Sequence, residues 1–213
     1  YIDGKVFFDD ELITAEELAA HFLNFNASVE ALYQKLSGQF WLLIEDKKKK
    51  TVTILNDHFA MKPCYWGIND GVLYISNSLK LVKNISEIKL SISEQALFNY
   101  MYFHCIPSPN TIFEQFSKLE PGKSLVYEGE DKFQSVLLYK PAFNQENVEA
   151  FSAQKDCLSI IDRAVEKYTT DSCGAFLSGG LDSSSVAGML ARHQQPAKTF
   201  SIGFHIEGYD ETS

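Results

Sequence analysis

The residues with the clearest chemistry lie in one stretch, Gly174-Ala175-Phe176-Leu177-Ser178-Gly179-Gly180-Leu181-Asp182-Ser183-Ser184-Ser185-Val186-Ala187-Gly188-Met189-Leu190. An apolar run enters Ser178-Gly179-Gly180 and leaves into a helical pattern in which Val186, Met189 and Leu190 recur at i, i+3 and i+4 and face a sheet. Adjacent glycines have no Cβ, so the backbone there turns sharply and brings its N–H groups close to an anion. A helix that starts within a few residues adds unpaired N–H donors and the positive end of its dipole, both favourable to phosphate oxygens. Ser178, Ser183 and Ser184 add hydroxyl donors with little bulk. The pattern predicts a phosphate cradle, with a ligand-free Gly/Ser turn as the bland alternative.

Asp182 is the odd member of such a loop. A carboxylate beside phosphates repels them unless a cation stands between. Magnesium, which takes one or two carboxylates together with phosphate oxygens, removes the conflict. Helix capping is the other reading of an Asp here, and the two roles are compatible. No lysine follows the glycines, so the loop is not of the Walker type, and G-x-S-x-G is absent around Ser178, so it is not a nucleophile elbow.

The elements that must position this loop read as a helix from about Val148 to Tyr168, a strand Cys173 to Leu177, a helix Ser183 to His193 and a strand Thr199 to Phe204. Strand, helix, strand is a βαβ unit and calls for a parallel sheet. Upstream the pattern changes. Phe40 to Ile44 and Thr51 to Leu55 are β-rich runs joined by a charged turn, and Cys64 to Gly67 with Val72 to Ser76 flank the hairpin signal Asn69-Asp70-Gly71. Two successive hairpins predict an antiparallel meander. Thr14 with Glu17, and Ser91 with Glu94, have capping-box spacing and predict helices, the second with Ala96, Leu97, Tyr100 and Met101 on one face. Lys123 to Tyr127 and Phe133 to Tyr139 are further strand candidates. The polar run Lys140 to Asn147 marks a boundary, giving domains at residues 1–142 and 143–213.

A net charge of −9 and a pI near 5.0 exclude a general phosphate-backbone binder, so nucleic acid is not an expected partner. Lys47 to Lys50 reads as a solvated turn. No run approaches the ~20 apolar residues of a membrane span. Cys64, Cys105, Cys157 and Cys173 show no C-x-x-C spacing, which points away from a zinc or redox pair and towards a reducing cytoplasm. The five histidines are scattered, and Cys173 reads as a small apolar residue. The chain opens on Tyr1 within a strand-like pattern, and the expectation is a fragment of a longer protein cut at both ends.

Ser178-Gly179-Gly180-Leu181-Asp182-Ser183-Ser184 resembles the pyrophosphatase loop (PP-loop) of asparagine synthetases, and Thr199 to Phe204 resembles the adenine-contacting strand that follows it. Asn56 to Trp66 is similar to the family's Arg-Asp-x-x-Gly-x-x-Pro-Leu-Tyr-Tyr segment, and Ile106 to Phe113 with Lys118 to Gly122 resembles its interdomain connection. The collinear matches cover most of Gly38 to Glu211. The resemblance implies an α+β fold, an N-terminal amidotransferase-type β-sandwich, followed by the start of an α/β parallel-sheet PP-loop ATP pyrophosphatase domain. It further implies an ATP-dependent, AMP-forming ligase that adenylates a carboxylate, aspartate or an analogue, for attack by ammonia drawn from glutamine or by a substrate amine. ATP and magnesium are the implied cofactors. By the same carry-over Asp182 holds the metal, Ser178, Gly179, Gly180, Asp182, Ser183 and Ser184 hold the pyrophosphate, and the backbones of Leu177 and Ile202 meet the adenine. A membrane is not an implied partner, and a homodimer is left open.

The first domain departs from this family pattern. Asp3-Gly4-Lys5 stands where the family has Asn-Gly-Glu, so an amide that would donate to an oxyanion is replaced by an acceptor, and Lys5 reverses a charge. The family's Gly-x-Asp-x-Glu segment is not recognisable between Phe22 and Val29, and no catalytic residue of a glutaminase is identified. The expectation is a structural partner without glutaminase activity. Lactam- or macrolactam-forming relatives, and a non-catalytic ATP-binding relative, are the alternative readings.

Overall fold

A computed structural model describes residues 1–25, 28–85, 87–143 and 149–203. The chain divides into two compact units, Tyr1–Ala142 and Phe143–Ser213.

In the first unit the elements are β1 (Ile2–Phe8), β2 (Glu11–Leu12), α1 (Ala15–Phe25), α2 (Val29–Tyr33), β3 (Leu36–Asp46), β4 (Thr51–Asn56), β5 (Tyr65–Asn69), β6 (Val72–Ser76), α3 (Leu79–Val82), α4 (Glu94–Phe103), β7 (Ser117–Lys118), β8 (Lys123–Gly129) and β9 (Lys132–Leu137). They form a six-stranded sheet in the order β2-β1-β3-β4-β8-β9 and a three-stranded sheet in the order β6-β5-β7. Every pairing in both sheets is antiparallel.

Alternation along β3 explains the layers, because successive side chains leave opposite faces of a strand. Phe40 and Leu42 join Val6, Phe8 and Leu55 in a core with Leu18 of α1 and Leu32 and Tyr33 of α2. Trp41 and Leu43 join Ile54 and Leu125 in another, closed by Trp66 of β5 and Ile75 of β6. The large sheet thus carries helices on one face and the small sheet on the other. The expected meander is corrected here: the two hairpins sit in different sheets, and β4 pairs with β8 instead of β5. A period-2 pattern assigns a residue to a face but does not name the neighbouring strand.

Local signals account for several boundaries. The Thr14 N–H donates to the Glu17 carboxylate at 2.8 Å, and the Glu17 N–H donates back to Thr14 Oγ1 at 3.3 Å, so the predicted box opens α1. The second box is displaced: Ser93 caps α4, accepting from the Ala96 N–H at 3.3 Å, whereas Ser91 bonds to Glu114 and Gln115. Of the face expected on α4, only Ala96 is buried, and Leu97, Tyr100 and Met101 are exposed.

The second unit contains α5 (Ala150–Tyr168), β10 (Ala175–Phe176), α6 (Leu181–His193) and β11 (Thr199–Phe200). β10 and β11 pair in parallel, with Ala175 opposite Thr199 and Phe176 opposite Phe200. The strands are shorter than the sequence pattern suggested, and Phe204 lies outside the described residues. On α6 the buried residues are Ala187 and Leu190, packed with Val165 of α5, Cys173, Leu177 and Ala197. Val186, expected to face the sheet, is exposed. Asp162 of α5 accepts from Arg192 at 3.3 Å and faces His193 Nε2 at 3.0 Å, which ties the two helices together. No helix among the described residues is long and apolar enough to cross a membrane.

Candidate functional site

The loop between β10 and α6 is exposed, and its shape follows from two backbone facts. Gly179 has φ +85°, a region that L side chains avoid, and it turns the chain from the strand into the helix. Gly180 then takes the N-cap position in extended geometry and makes no side-chain cap bond. Asp182 is therefore in the first turn of α6 and does not cap it, which removes the capping reading. The helical ladder opens with the Ser184 N–H donating to the Gly180 carbonyl at 3.0 Å. The N–H groups of Leu181, Asp182 and Ser183 precede that rung and have no acceptor within the helix. A Cβ built on Gly180 would come 3.6 Å from Ser178 Oγ, so a side chain there would stand in the mouth of the loop.

The serines are turned on one another. Ser183 Oγ accepts from the Ser178 N–H at 3.2 Å, lies 3.0 Å from Ser178 Oγ and donates to the Gly180 carbonyl at 3.1 Å. An anion reaches these hydroxyls by exchanging those bonds. The hydroxyl of Ser185 donates to Leu181 O at 2.7 Å and is committed to its helix. Leu177 is more constrained than expected. Its N–H donates to Phe200 O at 2.8 Å and its carbonyl accepts from Ser201 Oγ at 2.5 Å, which leaves the carbonyl's second lone pair as its one free backbone valence. Ile202 follows directly and is exposed.

Among the described residues no group of three His, Cys, Asp or Glu side chains could hold a metal ion. A lone exposed carboxylate at Asp182 suits magnesium in the way it binds nucleotides, where phosphate and water oxygens complete the shell. The donor set thus fits a nucleotide polyphosphate with its cation: free N–H groups, small hydroxyls, an uncrowded loop and one carboxylate.

A family model described as glutamine amidotransferase domain matches residues 17–136, and one described as asparagine synthase matches residues 157–213. The chain belongs to the asparagine synthetase family. Glutamine-hydrolysing asparagine synthetase 1 of Bacillus subtilis (strain 168) is 30% identical over 185 residues, covering 85% of this chain and 29% of that protein. A provisionally assigned asparagine synthetase 2 of Methanocaldococcus jannaschii is 29% identical over 224 residues, covering 100% of this chain and 42% of that protein. The chain therefore spans less than half the length of these relatives. Among solved structures, the B. subtilis glutamine phosphoribosylpyrophosphate amidotransferase complexed with ADP and GMP aligns over 98% of this chain and 47% of that one at 12% identity, with a TM-score of 0.35.

In the amidotransferase-matched unit of this asparagine synthetase relative, Asp3 is the hub of a polar cluster the sequence did not reveal. Its carboxylate pairs with Lys62 Nζ at 2.7 Å and accepts from Trp41 Nε1 at 3.1 Å and Asn77 Nδ2 at 2.8 Å. Lys62 is delivered by a loop organised on Asp57, a buried carboxylate that accepts from the backbone N–H groups of Phe40, Phe59 and Met61. The Lys62 bond holds the Asp3 carboxyl below the usual carboxylate range; partial burial opposes it, and the Asn77 and Trp41 donors reinforce it. Nearby Cys64 is buried, and that burial, aided by the Asp3 charge, pushes its thiol up to about 12, so it is no thiolate nucleophile.

This cluster has a pH signature. A folded-state pKa below the unfolded value of about 3.9 stabilises the fold above that value, and the stabilisation is lost as pH falls through the folded pKa. Acid unfolding followed by tryptophan fluorescence should show a wild-type stability advantage over Asp3→Asn near neutrality that shrinks below about pH 4. Parallel acid profiles for the two proteins would remove Asp3 as a stabilising ion pair.

Proposed function

We propose that the protein containing this chain is an ATP-dependent, AMP-forming carbon–nitrogen ligase of the asparagine synthase type. Residues 1–142 are assigned to an amidotransferase-type sandwich and residues 143–213 to the start of an α/β ATP-binding domain of the PP-loop class. A carboxylate oxygen of aspartate or an analogue attacks the α-phosphorus of ATP, pyrophosphate leaves with the bonding electron pair, and ammonia or an amine then displaces AMP to leave an amide. Ser178, Gly179, Gly180, Ser183 and Ser184 bind the outer phosphates, and the backbones of Leu177 and Ile202 border the base. The observation that supports this reading most is the left-handed Gly179 at the head of a helix whose first three N–H groups have no helical acceptor. Donors fixed before the reaction stabilise the charge that collects on leaving pyrophosphate. Asp182 would hold magnesium, which when bound neutralises part of that charge. A cytoplasmic setting, where ATP and reduced thiols coexist, belongs to the same reading.

Nitrogen, in this reading, does not come from glutamine through the described residues of the first unit. Asp3 offers only acceptors and its charge is engaged by Lys62, and the Cys64 thiol is buried. One assay tests both claims on the whole protein. With Mg-ATP, aspartate and ammonium it should release pyrophosphate, and Asp182→Ala should slow that release by roughly 100-fold, the usual cost of one electrostatic contact to the transition state. Glutamate formation from glutamine should stay at background. Robust glutamate release would reinstate the glutaminase, and no pyrophosphate with aspartate or any other carboxylate would defeat the ligase assignment.

A further inference from the structure

We infer that Ser201 is a positioning residue, one that sets the distance between the phosphate-gripping loop and the segment at Ile202 and so couples the two halves of a bound nucleotide. The inference rests on the nucleotide reading above and deepens it. The parallel pair that carries both segments is two residues long on each strand, Ala175–Phe176 against Thr199–Phe200. Its flanking rungs include the Ala175 N–H to Lys198 O at 2.9 Å and the Leu177 N–H to Phe200 O at 2.8 Å. Past Phe200 the strand pairing ends, and a side chain continues it: Ser201 Oγ donates to the Leu177 carbonyl at 2.5 Å.

This bond is placed where the two chains part. Leu177 is followed at once by Ser178 and the turn at Gly179, and Ser201 is followed at once by Ile202. Among the described residues the Leu177 N–H to Phe200 O bond is the last backbone bond of this pairing, and the Ser201 side chain takes over from it. Ser201 is exposed, so water competes for its hydroxyl and the bond adds little to global stability. Its consequence is geometric. It fixes the Leu177 carbonyl and limits the drift of Ile202 away from the loop, and a ligand that touches both places gains from that fixity, whereas one that touches the loop alone does not.

The test compares two probes on the whole protein with magnesium present, ATP, which spans both segments, and inorganic pyrophosphate, which needs only the loop. Ser201→Ala should weaken ATP binding by roughly fivefold to tenfold, the size expected for losing one hydrogen bond that organises a site, and leave pyrophosphate binding within about twofold of wild type. Ser201→Thr, which keeps the hydroxyl, should restore ATP binding. An equal loss for both probes, or a loss that Ser201→Thr does not repair, would show a merely structural role and overturn the inference. Wild-type ATP affinity left intact by Ser201→Ala overturns it while sparing the nucleotide reading; a wild-type protein with no ATP affinity takes both down.

Discussion

Valine at position 179 is expected to weaken Mg-ATP binding by roughly 10- to 100-fold with little change in the thermal midpoint. The argument starts from φ +85° at Gly179. Any β-carbon costs free energy in that region, and a β-branched side chain is the worst case, at about 1–3 kcal/mol. An exposed loop escapes the strain by changing its path, so the loss falls on the shape of the loop and not on the core. One tenfold step in affinity corresponds to about 1.4 kcal/mol, which gives the stated range. Gly180→Ala is the informative control. Gly180 has an ordinary φ of −74°, and its added Cβ meets only Ser178 Oγ at 3.6 Å, so alanine deforms nothing in the free loop. A loss of ATP affinity in Gly180→Ala measured by calorimetry would therefore report a collision with the ligand itself. Normal binding by Gly179→Val would mean that the left-handed turn is not needed, and the cradle reading would fail with it.

Much of this loop was legible because its information is local. Strand, small residues and helix follow each other within a few positions, and the Thr14–Glu17 box and the Asp70-Gly71 turn, both of whose residues have positive φ, are local in the same sense. What stayed hidden depends on contacts between distant segments. Asp3 and Lys62 are far apart in the chain and meet because β1 pairs with β3 while the Asp57-organised loop returns beside that pair. Asp3 is an unusual residue for its place, yet nothing near Lys62 in the sequence announces the partner. The same limit applies to α6. Helical spacing offers Val186, Met189 and Leu190 as the inner face; Leu190 is buried as expected, but its buried companion is Ala187 while Val186 is exposed, a rotation that only the neighbours decide.

Local reading also missed the committed valences of Leu177. The Leu177 backbone, expected to meet the base, spends its N–H on Phe200 and part of its carbonyl on Ser201. Hydrogen-bond capacity is finite, and each bond already made narrows what a ligand can take. That accounting, more than the motif, distinguishes the residues that grip phosphate from those that hold the grip in place.

Gly38→Ala is expected to destabilise the first unit by about 4 kcal/mol, a large share of the ~5–15 kcal/mol available to a domain. Gly38 lies in β3 opposite Val6 of β1, with φ +129°. A Cβ there would lie 2.2 Å from the Lys5 carbonyl oxygen and 3.3 Å from a ring carbon of Phe7. The first obstacle is backbone, which cannot swing aside as a flexible side chain would, so the strands must separate. The estimate adds about 1–3 kcal/mol of dihedral strain to about 1 kcal/mol for each ladder bond lost. Gly4, two residue pairs further along the same strands and opposite Phe40, has the mirror problem, its Cβ falling 2.0 Å from Gln39 O. Once one substitution has parted β1 from β3 the other has less left to break, so the double variant should lose less than the sum of the single losses. Urea unfolding of the three variants checks this through midpoints at a common slope. A loss below about 1 kcal/mol for Gly38→Ala would show that the two strands part without penalty, and the tight β1–β3 pairing that carries Asp3 to its donors would lose its support.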